Sequence, residues 1–430
     1  MQFYSTNNRS TRVSLKEAVL EGLAPDNGLY MPVTIPQLPD SFFKELKNKS
    51  FLQIGIDVVK NIIGDDLASA EIEKIVAHTI QFDAPLVEVE ENIYALELFH
   101  GPTLAFKDFG ARFLSGMLAH YARQQDKQIT ILVATSGDTG SAVANGFFNV
   151  PGTRVVVLYP SGKVSEIQEK QFTTLGGNIT ALEIDGTFDD CQRLVKEAFL
   201  NKELKDKLFL TSANSINIAR LIPQSFYYFY AYSRLVNKDR VVFAVPSGNF
   251  GNLTAGLLAK RMGLPVRKFI AATNVNDIVP EYLKTKVFSP RPSTQTISNA
   301  MDVGNPSNFA RMLDLYEHDV EKLKAEITGY SFTDEETREA MISVFKSKKY
   351  TLDPHGAIGY LGLKNYLPGK PDETGIFLET AHPAKFTEVV EETLQQKIAL
   401  PEKLQHFMSK QKKSVAMKAD FIAFKKFLLS

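Results

Sequence analysis

Residues 129–148 read ITILVATSGDTGSAVANGFF, which is an apolar strand, a glycine-containing loop and the start of a helix. A strand that is apolar throughout is typical of a sheet covered on both faces. The same order of strand, loop and helix recurs along the chain. The predicted strands are ITILVAT (129–135), RVVVLYP (154–160), NITALEI (178–184), LFLTSA (208–213), RVVFAVP (240–246) and TGIFLET (374–380). This alternation predicts an α/β fold with mostly parallel sheets covered by helices.

The segment before this alternation has a helical pattern. Its predicted helices are VSLKEAVLEGL (13–23), FLQIGIDVVKNIIG (51–64) and SAEIEKIVAHTI (69–80), followed by a short hairpin of LVEVE and IYALEL. We therefore expect four parts. They are an N-terminal helical domain (1–85), a large α/β domain (86–126 and 237–400), a small α/β domain (127–236) and a peripheral helical tail (401–430).

Composition limits the classes of function. The chain has 430 residues, and Lys and Arg together number 49, as do Asp and Glu, so no basic excess indicates a nucleic-acid or anionic-membrane partner. The single cysteine, Cys191, excludes an internal disulfide and favours a reducing compartment. We see no bilayer-length apolar run and no signal-peptide core, and we expect a cytoplasmic protein. The sequence contains neither HExxH nor CxxC, so no metal site is expected.

Lys107 lies in the stretch LFHGPTLAFKDFGARFLSGML (98–118). Pro102 and Thr103 are typical of a helix start, with Asp108 in the first turns. On such a helix the face of Lys107 carries small and apolar residues and no acidic partner. These are Thr103, Gly110, Ala111 and Leu114. A desolvated lysine without a partner has a lowered pKa, and its free amine attacks carbonyl groups. An ordinary solvated lysine stays open as the alternative.

The loop Thr135–Gly140 follows the first strand of the alternation. Its central residues are Ser136, Gly137, Asp138 and Thr139. Hydroxyl groups and helix-start amides at such a place suit a carboxylate or a phosphate. A plain helix cap formed by Asp138 or Thr139 is the alternative.

A second loop, Pro246–Asn252, joins a strand to a helix. Gly248 and Gly251 allow main-chain amides to approach an anion closely. No lysine follows as in a Walker nucleotide site, and the GxGxxG spacing of dinucleotide sites is absent. A phosphate held by neutral amides is the favoured interpretation, and a simple strand-to-helix turn is the alternative.

A third loop, Asn214–Arg220, also follows a strand. Asn214 and Ser215 are expected at a helix start, with Asn217 and Arg220 on one face. A guanidinium group there suits a second phosphate. An ion pair between Arg220 and an acidic neighbour remains the alternative.

A candidate Schiff-base lysine, a phosphate loop and an α/β scaffold together indicate pyridoxal 5′-phosphate. The strand TGIFLET supplies a partner for the pyridine nitrogen, because it ends at Thr380. A hydroxyl group there would leave the pyridine largely unprotonated.

The motifs HGPTLAFKD, TSGDTGSA, NSINIAR, SGNFGN and LETAHPAKF resemble those of the threonine synthases. This family belongs to the tryptophan-synthase-β-like, fold-type II pyridoxal-phosphate enzymes. The likeness includes YSTNNRSTRVSLKEAVLEGLAPDNGLYMP, SNAMDVGNPSNFAR and LDPHGAIGY, and spans residues 1 to about 390. It implies a fold-type II enzyme with an added N-terminal helical domain.

The resemblance also implies roles for single residues. Lys107 matches the Schiff-base lysine; Gly248, Asn249, Phe250, Gly251 and Asn252 match the cofactor-phosphate loop; Thr380 matches the residue at the pyridine nitrogen. Asp138 matches a cofactor-binding position, Ser136, Gly137 and Thr139 a substrate-carboxylate loop, and Asn214, Ser215 and Arg220 a substrate-phosphate site. Asp138 stands where more distant relatives carry Asn. The segment Asp353-Pro354-His355-Gly356 receives no role, and its glycine stands where the family more often has Ala or a hydroxyl residue.

The implied enzyme is a carbon–oxygen lyase, present as a monomer or homodimer. It converts O-phospho-L-homoserine and water to L-threonine and phosphate by γ-elimination and then β-addition of water. A threonine or serine dehydratase of the same fold is the alternative, and a β-replacing synthase is another, although neither needs a second phosphate site. A non-catalytic anion-binding module would not need Lys107.

Overall fold

The computed structural model describes residues 1–123, 127–236 and 240–430. These residues form two compact units. Unit 1 contains Met1, Met31–Phe106 and Leu221–Ala399, and unit 2 contains Gln2–Tyr30, Lys107–Arg220 and Leu400–Ser430. The predicted domain boundaries at residues 126 and 237 lie outside the described residues.

Strands and helices alternate through most of the described chain. The strands are β1 (Gln2–Ser5), β2 (Asn8–Ser14), β3 (Tyr30–Pro32), β4 (Leu86–Glu90), β5 (Ile93–Glu97), β6 (Ile129–Ala134), β7 (Thr153–Pro160), β8 (Ile179–Asp185), β9 (Phe209–Ser212), β10 (Val241–Pro246), β11 (Val266–Thr273), β12 (Ile327–Ser331), β13 (Thr374–Glu379) and β14 (Val415–Lys418).

The helices are α1 (Leu15–Glu21), α2 (Asp40–Glu45), α3 (Phe51–Ile63), α4 (Ser69–Thr79), α5 (Lys107–Ala122), α6 (Asp138–Phe147), α7 (Glu166–Thr173), α8 (Phe188–Leu200), α9 (Lys202–Lys207), α10 (Ile218–Leu221), α11 (Phe226–Arg234), α12 (Gly251–Arg261), α13 (Ile278–Thr285), α14 (Phe309–Leu315), α15 (Val320–Glu326), α16 (Asp334–Lys348), α17 (Pro354–Tyr366), α18 (Thr387–Leu394), α19 (Glu402–Met408) and α20 (Phe421–Leu429). Helices α1, α3, α8 and α16 each begin at a capping box, such as Ser14 with Glu17, which fixes their first residue.

Unit 1 is built on a six-stranded sheet in the order β12-β11-β10-β13-β5-β4. Its strands are parallel except β4, which forms the predicted antiparallel hairpin with β5. Strands β10 and β13 are buried along their whole length and lie side by side, with Ala244 aligned with Phe377. Their carboxyl ends therefore lie at one edge of the sheet, where ligands bind in α/β folds.

Unit 2 is built on a parallel sheet in the order β14-β8-β7-β6-β9. Helices α5 and α6 pack closely, since a Cβ placed on Gly146 would lie only 3.1 Å from the carbonyl carbon of Ala111. Lys107 at the start of α5 and the loop before α6 consequently belong to the same unit.

The two ends of the chain differ from the prediction. In the expected N-terminal helical domain, β1 and β2 form an antiparallel pair, and residues 2–30 belong to unit 2 rather than to a separate layer. The expected peripheral tail contains helices α19 and α20, but β14 between them pairs with β8, and Phe424 and Leu428 are buried in the core of unit 2. The tail therefore completes a sheet.

The predicted fold class is confirmed by parallel sheets and by each of the strands predicted at β6, β7, β8, β9, β10 and β13. In the parts of the chain that the structure describes, we find no helix with the length and apolar character needed to span a bilayer.

Candidate active site

The loop Pro246–Asn252 joins β10 to α12 at the carboxyl edge of the unit 1 sheet. Phe250 has a left-handed backbone conformation (φ 60°) directly before α12 begins at Gly251. Position 248 has no room for a side chain, because a Cβ there would lie 2.7 Å from Met301 Cα and 3.0 Å from the Ala300 carbonyl oxygen. Residues 300–301 therefore support the back of this loop closely.

The two asparagines of this loop hold its shape. Asn252 Nδ2 donates to the Pro246 carbonyl (2.8 Å), and its Oδ1 accepts from Ser247 Oγ (3.0 Å). Asn249 Oδ1 accepts from the Ser307 amide at 2.6 Å. The first N–H groups of α12 have no main-chain acceptor within the helix, and of these the Leu253 amide donates to Asn252 Oδ1 at 3.0 Å. The main chain, rather than these amide side chains, is thus the part of the loop suited to an anion.

Thr380 directly follows β13, the neighbour of β10, and is only 6% exposed. Its carbonyl oxygen accepts from the Phe106 amide at 2.9 Å. Ala105 and Ala381 form an antiparallel bridge beside it. Because Phe106 precedes Lys107, the main chain leading to the lysine is fixed next to Thr380.

Lys107 is the first residue of α5, so the predicted helix start at Pro102 and Thr103 was wrong. Leu104 has φ 57°, which a right-handed helix excludes, and Thr103 therefore shares no helix face with Lys107. The expected absence of an acidic partner was also wrong, because Lys107 Nζ lies 3.8 Å from Asp138 Oδ2. This carboxylate belongs to the first residue of α6, a different helix, so it could not be predicted from the residues on one face of α5.

Gln168 fixes Asp138. Its Nε2 donates to Asp138 Oδ1 at 2.9 Å, and both side chains are buried. A Cβ on Gly137 would lie 2.6 Å from Gln168 Oε1, and Gly137 has φ 150°, so a glycine is needed there for both reasons. Gln168 could not be predicted as a neighbour of Asp138 because it lies on α7, 30 positions further along the chain.

Thr135, for which no role was predicted from the sequence, organises the same loop. Its hydroxyl oxygen accepts from the amides of Gly137 (3.0 Å) and Gly140 (2.8 Å). The alternative of a cap by Asp138 or Thr139 does not hold, since Gly137 is the capping residue of α6 and supplies no side chain. Ser136 is exposed, so its hydroxyl group is open to a ligand.

Asn214 and Ser215 lie in a turn before α10, which begins at Ile218, so their predicted place at a helix start was wrong. The long predicted helix is divided into α10, a 3₁₀ turn at Ile222–Ser225 and α11. Pro223 lacks an N–H group, which accounts for the interruption.

Asn217 was expected on one face with Arg220, but its side chain has a structural role. It is fully buried, and its Nδ2 donates to the carbonyl of Val19 (2.9 Å) and to that of Ser212 (3.4 Å). Its side chain thus ties the turn to helix α1.

Arg220 is a buried cation, 3% exposed. Its Nη1 donates to the Ala213 carbonyl at 2.5 Å, and its Nε would be 2.7 Å from a Cβ on Gly110. Burial lowers the pKa of Arg220 to about 10, against the opposing charge of Asp108, so the guanidinium stays charged at neutral pH. In the described part of the chain, Asn214 Oδ1 is buried without a hydrogen-bond partner. The guanidinium group suits a phosphorylated ligand, whereas the Asn214 side chain could meet a phosphate only through its Nδ2 donor.

Each unit, taken by itself, carries groups that suit one part of pyridoxal 5′-phosphate. At one edge of its sheet, unit 1 carries the loop in which Gly248 has no space for a Cβ, the start of α12 and the hydroxyl group of Thr380. Unit 2 carries a lysine with a fixed carboxylate near its Nζ. The cofactor offers a phosphate, a pyridine nitrogen and an aldehyde, for which these are suitable partners.

Three family profiles match the chain. The pyridoxal-phosphate-dependent enzyme family matches residues 78–377. The threonine synthase N-terminus matches residues 2–80, and the threonine synthase C-terminal region matches residues 356–428.

Relatives match over the whole length. Threonine synthase of Escherichia coli is 46% identical over 100% of both chains, and that of Saccharomyces cerevisiae is 35% identical over 96% of this chain and 94% of the relative. The E. coli threonine synthase crystal structure has a TM-score of 0.93, covering 100% of this chain and 99% of its own. The PLP-bound threonine synthase of Brucella melitensis also has a TM-score of 0.93, at 35% identity and 100% and 98% coverage. A threonine deaminase from Solanum lycopersicum shares the fold alone, at 15% identity and a TM-score of 0.56. The chain therefore belongs to the threonine synthase family of pyridoxal-phosphate-dependent enzymes.

Proposed function

We propose that this chain is a carbon–oxygen lyase that converts O-phospho-L-homoserine and water to L-threonine and phosphate. The observation that carries the proposal is the likeness to threonine synthases from one end of the chain to the other. Dehydratase-like structures match at 15% identity and support only a shared fold. The buried Arg220 favours a phosphorylated substrate as well.

In this proposal the cofactor is held by the loop Gly248–Asn252, by Thr380 and by Lys107. Main-chain amides of Gly248–Asn252 bind its phosphate, and the Thr380 hydroxyl group lies at the pyridine nitrogen. Lys107 Nζ binds the aldehyde carbon. When bound, pyridoxal phosphate would supply an aldehyde carbon that exchanges Lys107 Nζ for the substrate amino group, and a conjugated ring that accepts negative charge from the α carbon.

Lys107 then acts as the proton carrier. Once it is free of the cofactor aldehyde, its Nζ removes a proton from the α carbon and then one from the β carbon of the substrate. It gives one of these protons to the γ carbon after phosphate has left, and it returns the other to the α carbon after water has added at the β carbon. The Asp138 carboxylate, 3.8 Å away and fixed by Gln168, stabilises the ammonium group that forms at each removal. Asp138 is thus proposed as a partner of the lysine, in addition to its expected contact with the cofactor.

The substrate is held by two further loops. Its carboxylate is received by Ser136, Gly137 and Thr139. The exposure of Ser136 supports this role, because its hydroxyl group can reach a ligand. Arg220, Asn214 and Ser215 bind its γ-phosphate and stabilise the charge of the leaving phosphate.

We also propose that the enzyme works in the cytoplasm, as a monomer or a homodimer, on this small molecule alone. The support is its balanced charge and its single cysteine, Cys191, which is buried and whose thiol pKa burial raises. The test is sedimentation of the purified chain together with its location in fractionated cells.

The experiment that tests the function supplies phosphohomoserine to the purified chain with pyridoxal phosphate. We expect threonine and free phosphate in equal amounts. Serine and threonine serve as control substrates, and the formation of 2-oxo acids from them, without any threonine from phosphohomoserine, would replace the proposal with the dehydratase alternative.

The position of Thr380 has its own test. Thr380→Asp places a carboxylate at the pyridine nitrogen, favours the protonated ring and should shift the absorbance of the bound cofactor. Thr380→Ser keeps a hydroxyl group and should leave the spectrum unchanged. Identical spectra in both variants and the wild type would show that this side chain does not face the ring.

A further inference from the structure

Helix α17 begins within Asp353-Pro354-His355-Gly356, the segment left without a role. Asp353 is fully buried, and its Oδ1 accepts from the His355 amide (2.8 Å) and its Oδ2 from the Gly356 amide (3.2 Å). Asp353 Oδ1 also lies 2.6 Å from His355 Nδ1. One carboxylate therefore fixes both the start of the helix and the imidazole ring.

His355 is hydrogen-bonded at both ring nitrogens. The Ala300 amide donates to Nε2 at 3.2 Å, so this nitrogen carries no proton and Nδ1 donates to Asp353. The Ala300 carbonyl oxygen would lie 3.0 Å from a Cβ on Gly248. His355 thus supports the turn that lies directly behind the proposed phosphate loop.

Glu379 is the last residue of β13 and precedes Thr380. It is fully buried, and a Cβ on Gly356 would lie 2.3 Å from its carboxyl carbon. Position 356 is a glycine because the Glu379 carboxyl group occupies the space that a side chain would need.

The two buried carboxyl groups, Glu379 and Asp353, differ in protonation. Burial, and after it the negative charge of Asp353, raise the pKa of Glu379 well above its usual value. Burial also acts to raise the pKa of Asp353, but its hydrogen bonds from His355 lower it overall. Glu379 therefore holds the proton of the pair, and Asp353 is the carboxylate.

Neighbouring elements add further titratable groups. Tyr350 donates to Glu97 Oε1 at 2.9 Å, and His100 Nε2 lies 2.7 Å from Glu97 Oε2. The charge of Glu97 also raises the pKa of Glu379. Beyond Thr380 follow His382, whose pKa burial lowers, and Lys385, which donates to the Thr103 carbonyl.

We propose that Glu379, Asp353 and His355 form a positioning unit for the cofactor-binding residues of unit 1. Through Glu379 it fixes the strand end that carries Thr380, and through Ala300 it fixes the turn behind Gly248. The three residues act through these neighbours rather than on the substrate. The inference rests on the proposed function, which places the cofactor ring at Thr380 and its phosphate at the Gly248 loop.

The first test is the affinity of the full-length chain for pyridoxal phosphate. Glu379→Ala removes the carboxyl group that packs against Gly356 at the start of α17, and we expect affinity at least about tenfold weaker. Glu379→Gln keeps the shape of the side chain, so its uncharged amide should keep this packing. Its affinity should stay within about threefold of the wild type.

Three further variants separate positioning from folding. Gly356→Ala overlaps with the Glu379 carboxyl group and should lower both Tm and affinity. The double variant Gly356→Ala/Glu379→Ala removes the overlap, so its Tm should recover to that of Glu379→Ala while its affinity stays weak. Glu373→Ala is the matched control, because Glu373 is a buried glutamate at the other end of β13, 3.2 Å from Arg240. It should lower Tm and leave affinity unchanged.

The second test is the pH dependence of Tm for the holoenzyme. A raised pKa means that the folded chain retains a Glu379 proton which the unfolded chain releases above pH of about 4.3. This contribution to the free energy of unfolding is complete below that pH and declines as the pH rises from there through the raised pKa of the folded chain. Glu379→Gln does not titrate, so its Tm relative to the wild type should increase steadily over this range.

Wild-type affinity in Glu379→Ala and in the double variant would overturn the proposal, and so would equal losses of affinity in Glu379→Ala and Glu379→Gln. A Tm difference between Glu379→Gln and the wild type that is constant with pH would contradict the neutral carboxyl group. Failure of the proposed function is a separate result, namely a wild-type chain that binds pyridoxal phosphate but forms no threonine from phosphohomoserine.

Discussion

Lys107→Ala should lose threonine formation by at least about 10⁴-fold, since the change removes both the cofactor's covalent partner and the base that moves each proton. Borohydride treatment of the wild type should fix the cofactor to the peptide that contains Lys107, and the variant should carry no such label. The measurements are turnover on phosphohomoserine and peptide mass after reduction.

Lys385→Met is the matched control for this experiment. Lys385 is also a buried lysine, 1% exposed, whose Nζ donates to the Thr103 carbonyl at 2.8 Å. The label should remain on Lys107 in this variant. A label on Lys385, or on no lysine, would remove Lys107 from its proposed role.

Arg220→Ala should lose catalytic efficiency on phosphohomoserine while keeping its cofactor. Removing one partner of a desolvated, hydrogen-bonded charge pair costs roughly 2–5 kcal/mol, which is about 30-fold to several-thousand-fold. Because the guanidinium is proposed to stabilise the leaving phosphate, kcat should fall as well as KM rise. The measurement is steady-state kinetics on phosphohomoserine and on serine, whose slow deamination needs no γ-phosphate site.

Arg220→Lys keeps the charge but not the planar donor group, so it should recover only part of the lost efficiency. Equal losses on phosphohomoserine and serine, or loss of bound cofactor in Arg220→Ala, would show that the buried arginine is structural. A rise in KM alone would indicate binding of the phosphate without a role in its departure.

Most of the central strands could be predicted because burial on both faces makes them continuously apolar. β11, which lies between β10 and β12, was not predicted, since Arg267 and Lys268 interrupt its apolar sequence. β6, β7 and β10 are buried at nearly every position, and their sequences were identified directly. β2 and β14 were missed because their residues are polar or exposed, so the pairing with neighbouring strands leaves no apolar pattern. β12 reads ITGYS and is partly exposed along most of its length, which hides it in the same way.

The candidate site could be predicted only where a loop follows a recognisable strand. The loops at Gly137, Gly248 and Asn214 were located in this way, and their order along the chain carried the resemblance. The carboxylate beside Lys107 could not be predicted, because the sequence around α5 contains no sign of the start of α6. Gly356 is a second example, since its need for a glycine arises from Glu379, a residue of a different element.

The pairing of β14 with β8 has a consequence for how the protein is made. Ser414, next to β14, hydrogen-bonds Glu183 of β8 across 231 positions of sequence. During synthesis, β6 to β9 leave the ribosome long before β14 and α20. The nascent sheet therefore exposes the edge of β8 with which β14 later pairs, and it also exposes the apolar surface that Phe424 and Leu428 later cover. We expect nascent chains that end before residue 415 to associate with chaperones through this surface, and crosslinking of stalled ribosome complexes would detect the release once residue 430 has emerged.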